Sequence, residues 1–123
     1  MLLKDFYTIQ SLEKKDGLKH EAVLLINEKH EVFKGHFPGN PIMPGVCMMQ
    51  IIKELTEKIT QKTLMMQSLS NVKFMALINP EATPELRLEL DINETEEGLI
   101  KVKNTTTFGE TVALKLGSTY KKI

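Results

Sequence analysis

The sequence predicts an α+β chain with one buried helix set among strands. Three observations carry that expectation. Leu86, Leu88, Leu90 and Ile92 alternate with Arg87, Glu89 and Asp91, the period-two signature of a strand with one buried face. Val46, Cys47, Met48, Met49, Ile51, Ile52, Leu55 and Ile59 form a run that is apolar nearly all round through two turns and amphipathic afterwards, which is the pattern of a helix buried at its start. Turn residues at Glu96-Glu97-Gly98 and Phe108-Gly109-Glu110 divide the last third of the chain into a meander of short strands.

The elements follow in order. Residues Met1 to Leu12 open the chain as either a short helix or a strand. Leu18 to Asn27 is strand-like, and Glu28-Lys29-His30 is a turn leading into a loop. The loop holds Pro38, Pro41 and Pro44 with Gly39 and Gly45, too many breakers for a strand or helix interior, so it is a constrained segment. Pro44-Gly45 ahead of the apolar run is a helix entry with proline at its start, and the helix is expected from about Pro44 to Gln61. Leu69 to Ile78 reads as a strand broken at Asn79-Pro80, followed by the alternating strand, then by Ile100 to Thr107. Val112, Leu114 and Leu116 form the inward face of the last strand.

Composition narrows the function classes. A length of 123 residues fits one domain spanning 1–123, large enough for a core and small enough to gain from oligomerisation. The 16 basic and 16 acidic residues cancel, which gives no bias towards nucleic acid or a membrane surface. Neither a signal peptide nor an apolar run approaching the roughly 18 residues of a membrane span is legible. The single cysteine forms no internal disulfide, and a cytoplasmic location is expected. No spacing of histidine, cysteine and carboxylate suggests a metal, and no cofactor is implied. Cys47 reads as a small apolar filler, and His20 and His30 as surface residues.

His36 stands at the head of the constrained loop, so its imidazole is held rather than free to wander. The first amides of the helix beyond the loop are unpaired donors at the positive end of the helix dipole, a place to polarise a carbonyl.

The run His36-Phe37-Pro38-Gly39-Asn40-Pro41-Ile42-Met43-Pro44-Gly45-Val46 resembles the signature of the FabZ-type 3-hydroxyacyl-acyl carrier protein dehydratases. Phe33-Lys34-Gly35 before it and Val72-Lys73-Phe74 after the helix fall in the same family order. The resemblance covers roughly residues 15 to 121. It implies a hotdog fold, an antiparallel sheet wrapped around one long central helix, with two protomers paired edge to edge. The assembly it implies is a homodimer or a trimer of dimers.

The resemblance also implies roles. His36 matches the base that removes a proton from C2 of a 3-hydroxyacyl thioester, and a pKa near neutrality suits it to that task. The Gly45 amide matches the donor to the thioester carbonyl. Phe37, Met43, Val46, Phe74 and Met75 match the wall of the acyl pocket. The acid that protonates the departing hydroxyl comes from the partner protomer's helix, fourteen residues after the histidine, and here that position is Gln50. One turn later, where the family carries glutamine, stands Glu54. An amide donates and accepts hydrogen bonds but supplies no proton at neutral pH. Glu54 is therefore either a replacement acid or a solvated or helix-pairing carboxylate beside Lys53 and Lys58.

The expected reaction is dehydration of 3-hydroxyacyl-acyl carrier protein to the trans-2-enoyl product, with a coenzyme A thioester as the other donor. Basic residues common at the carrier-binding mouth are absent from Asn40, Met75 and Ala76, which leaves Lys34, Lys73, Lys121 and Lys122 as candidates. A catalytically silent subunit that binds acyl thioesters or pairs with an active homologue is the alternative, and an acyl thioesterase is a further one.

Overall fold

A computed structural model of the chain describes residues 4–34 and 41–123. His36 and Phe37 lie outside the described residues, as does the rest of 35–40. The strands are β1 (Tyr7–Lys14), β2 (Lys19–Ile26), β3 (Leu64–Phe74), β4 (Glu85–Glu94), β5 (Ile100–Phe108) and β6 (Thr111–Lys122), and the helix α1 is Gly45–Thr60. A 3-10 turn at Glu31–Phe33 precedes the proline loop. All strand pairings are antiparallel, in the order β1-β2-β4-β5-β6-β3, so β1 and β3 are the two edges.

The alternating strand is β4, whose Leu86, Leu88 and Leu90 are fully buried. They join Ala22 and Leu24 of β2, Val102 of β5 and Leu116 of β6 in one core with Met48, Ile51, Ile52 and Leu55 of α1. Pro44 and Gln61 are the caps of α1 rather than its ends. Gln61 adopts the left-handed conformation with φ 58° and returns its N–H to Glu57 O, which closes the last turn. Gly98 (φ 85°) and Gly109 (φ 58°) sit at the two tight turns of the meander, where only glycine is unstrained.

Several expectations are corrected. The opening segment, which the sequence leaves open between helix and strand, forms strand β1 from Tyr7 onward, paired along β2 from Tyr7↔Ile26 to Lys14↔His20. The strand expected at Leu69–Ile78 begins five residues earlier and ends at Phe74. Register shifts between Met66 and Ser68 and between Ser70 and Lys73, with Asn71 at φ 52°, break its alternation and hide its start. After Phe74 the chain leaves the ladder, and Ile78 O accepts the Met43 N–H at 2.8 Å, tying this segment to the helix entry. Val112 is half-buried, because a register shift at Thr106/Thr107 places consecutive Ala113 and Leu114 inward. Met65 is exposed on edge strand β3. His30 is half-buried rather than a surface residue. Its Nδ1 accepts the Val32 N–H at 3.1 Å, its Nε2 lies 3.0 Å from Lys4 O, and its ring meets Phe6 edge-on. His20 is half-buried in β2, where burial and then the Lys14 charge lower its pKa.

Candidate active site

The first turn of α1 borders a cavity of about 530 Å³ whose lining residues are all apolar. Met43 and Val46 come from the helix entry, Met48 from its first turns, Phe74 and Met75 from the end of β3 and beyond, and Leu114 from β6. Gly45, Met43, Val46, Phe74 and Met75 are thus brought to one cavity. Val46 is 73% exposed and Phe74 59% exposed in the single chain, so this wall is open on one side. Pro44 O accepts the Cys47 N–H at 3.0 Å, while the N–H groups of Gly45 and Val46 have no acceptor among the described residues. These are the free donors that a helix N-terminus leaves, and they stand at an apolar wall where water competes weakly. Cys47 is buried beside them, and burial pushes its thiol pKa up, away from nucleophilic use.

Gln50 and Glu54 do not line that cavity. They lie further along α1, where Glu54 and Tyr7 border a separate hollow of about 380 Å³ with Ile9, Glu57 and Lys58. Glu54 is buried rather than solvated. Its Oε1 accepts the Tyr7 hydroxyl at 2.8 Å and its Oε2 accepts the Gln50 Nε2 at 2.9 Å. No Lys or Arg of the described residues is within ion-pair distance of it. Burial, reinforced by the hydrogen bond and the charge of Glu54, holds the Tyr7 phenol well above its usual pKa. Tyr7 has no place in the sequence reading. It lies 47 residues from Glu54 on an edge strand, and only the β1 pairing brings it there. Among the described residues no group of histidine, cysteine and carboxylate side chains is gathered as for a metal ion.

An antiparallel six-stranded sheet packed on one long helix, with an apolar cavity at the helix entry, is the hotdog architecture of acyl-thioester enzymes. Residues 11–112 match the family model of the ApeI dehydratase, and the chain belongs to this ApeI-like dehydratase family. It is 30% identical over 132 residues to the 3-hydroxyacyl-[acyl-carrier-protein] dehydratase FabZ of Lactobacillus helveticus, covering 97% of this chain and 86% of that one. It is also 30% identical over 113 residues to the FabZ of a Caulobacter species, covering 80% and 67%. Among solved structures, the dehydratase heterocomplex ApeI:P from Xenorhabdus doucetiae is similar with a TM-score of 0.66 at 21% identity, over 94% of this chain and 96% of that one. A mutant thioesterase from Pseudomonas aeruginosa shares the fold with a TM-score of 0.65 at 9% identity, over 94% and 81%. No helix among the described residues is long and apolar enough to cross a membrane.

Proposed function

We propose that the protein, acting as one hotdog domain, dehydrates a 3-hydroxyacyl thioester presented on acyl carrier protein. The observation that carries this is the wholly apolar cavity at the N-terminus of α1, with the free Gly45 amide at its wall. An acyl chain fills such a cavity by burying its methylenes, and the amide meets the thioester carbonyl. His36 takes the C2 proton, and negative charge grows on the carbonyl oxygen as the enolate forms. The Gly45 N–H and the helix dipole favour that charge in the transition state more than in the ground state. The C3–O bond then breaks, and the departing hydroxyl takes up the proton that His36 removed from C2, so that water leaves and the histidine returns to its neutral form.

The site takes its second half from another protomer. Gln50 and Glu54 do not line the cavity of their own chain, and the exposed β3 edge is the surface along which two sheets join. A homodimer, or a trimer of dimers, brings the Gln50 and Glu54 of one chain to the cavity of the other. A mixed dimer is the second reading, and Gln50 in the acid position is what favours it. A homologue with an intact acid would complete one of two sites. Lys34, Lys73 and Lys121 are the residues offered to the acidic carrier protein, whereas Lys122 is committed to Glu94 at 2.8 Å.

The test is conversion of a 3-hydroxyacyl-carrier protein, with the acyl group weighed by mass spectrometry, for the native chain beside His36→Ala. Loss of one water by the native chain, abolished in His36→Ala, sustains the proposal. Release of free acid instead would make the protein a thioesterase. No turnover by the native chain, with turnover on mixing with an acid-bearing homologue, would establish the mixed dimer.

A further inference from the structure

The hydrogen bonds around Glu54 fix which end of the Gln50 amide is on offer. A carboxylate has acceptor sites only, so the Gln50 side chain must turn its NH2 group towards Glu54 Oε2, 2.9 Å away. Its carbonyl oxygen then points elsewhere and remains able to accept. Tyr7 occupies the other carboxylate oxygen, Oε1, at 2.8 Å, and holds the carboxylate plane from a different element of the fold. Glu54 is a buried carboxyl group served by two neutral donors, with no Lys or Arg of the described residues within ion-pair distance. That is a poor choice for packing alone, because an apolar residue would fill the place without the desolvation a carboxylate suffers.

We propose that Tyr7 and Glu54 are positioning residues that lock the Gln50 amide with its carbonyl oxygen outward, as the acceptor for the 3-hydroxyl group of the substrate. Position 50, which carries the acid in FabZ-type relatives, is thereby turned into an acceptor that orients the leaving group and discriminates a 3-hydroxyacyl chain from a plain acyl chain. Gln50 donates no proton to the reaction. This rests on the dehydration reading for the identity of the ligand, but not for the geometry of the amide.

Two readouts test it, and neither requires turnover. The first is binding of a non-reactive 3-hydroxyacyl pantetheine thioether against its 3-deoxy counterpart. The native chain prefers the hydroxylated probe by roughly three- to tenfold, the range of one neutral hydrogen bond. Tyr7→Phe, which keeps the ring packing, lowers that preference, and Glu54→Met, which fills the place without an acceptor, removes it. The double variant Tyr7→Phe/Glu54→Met is no worse than Glu54→Met, because Tyr7 acts through Glu54. The second is the side-chain amide signal of Gln50 in NMR, assigned by its loss in Gln50→Ala. Its protons exchange slowly in the native chain and quickly in Glu54→Met. A purely structural Tyr7 would lower thermal stability while leaving probe preference and amide exchange unchanged, and that result overturns the proposal. If the native chain binds neither probe yet the amide protons behave as stated, the dehydration reading and the acceptor role fail while the lock itself stands. Equal exchange in native and Glu54→Met chains overturns the lock whatever the substrate.

Discussion

The ring of Phe74 lies against the backbone of Gly45, so closely that a Cβ added at Gly45 would fall 2.8 Å from Phe74 Cζ. Helix entry and strand end therefore meet ring on backbone, at the amide proposed to meet the thioester carbonyl. Alanine at position 45 forces the ring to shift and narrows the same cavity. Gly45 has no left-handed φ and the added methyl meets only a side-chain ring, so the fold should tolerate Gly45→Ala. The expected result is a melting temperature within a few degrees of the native chain and roughly tenfold or greater loss of kcat/KM on a 3-hydroxyacyl thioester. Adding Phe74→Ala to Gly45→Ala should recover part of it. Differential scanning calorimetry with steady-state kinetics checks both halves.

Gln50→Glu places a second carboxylate at the 2.9 Å contact with Glu54. Two carboxylates at that distance share one proton, because ionising both sets like charges against each other. The variant thus holds an acid at neutral pH where the native chain has an amide. General acid catalysis contributes about 10²- to 10⁴-fold, and Gln50→Glu should gain part of that range in kcat. Its pH–rate profile should acquire a falling alkaline limb that the native profile lacks. An unchanged rate and profile would show that position 50 does not face the leaving hydroxyl.

Two tyrosines contribute to the pH dependence of stability in alkaline solution. Burial, then the hydrogen bond and charge of Glu54, raise the Tyr7 pKa, and burial raises that of Tyr120. A phenol whose folded pKa exceeds its unfolded value of about 10 keeps its proton in the native chain after the unfolded chain has lost it. The stability this contributes is complete below about pH 10 and declines as pH rises above it. The chain has two tyrosines and no tryptophan, so tyrosinate absorbance reports these groups directly. Ionisation should coincide with loss of the circular dichroism signal, and Tyr7→Phe should make stability fall less steeply above pH 10. Smooth ionisation of both phenols in a folded chain would contradict this.

The parts of the fold legible in the sequence are those whose signal is local. Leu86, Leu88 and Leu90 announce β4 by alternation, and Pro44 ahead of the apolar run announces the start of the helix. β3 was displaced because two register shifts spoil its period and its polar Gln67, Ser68 and Ser70 resemble a loop. The pocket residues Met43, Gly45, Val46, Phe74 and Met75 were reachable only through the family pattern, since they come from separated segments. Tyr7 was not reachable at all. A phenol 47 residues from its carboxylate partner leaves no mark on the sequence until β1 pairs with β2.

A second carboxylate of α1 does structural work. Glu57 Oε2 accepts the Leu64 N–H at 2.9 Å, while the Glu57 carbonyl receives the Gln61 N–H at 2.8 Å. The side chain joins the last turn of the helix to the first residue of β3, where Leu64 is fully buried and pairs with Lys122. Glu57→Ala leaves that amide without its acceptor, and an unmet buried donor costs about 1–3 kcal/mol. The melting temperature should fall by several degrees, since each kcal/mol shifts a domain of this size by about 4 °C. Glu57→Gln keeps an acceptor oxygen and should lose much less. It also removes the negative charge that, after burial, helps raise the Tyr120 pKa. Glu57→Gln should therefore begin its alkaline transition at higher pH than the native chain, because the folded and unfolded pKa values of Tyr120 move closer together. Urea melts of the three chains at neutral pH and above pH 10 separate the hydrogen bond from the charge. Equal stability of Glu57→Ala and Glu57→Gln at neutral pH would show that the link from Glu57 to Leu64 contributes nothing.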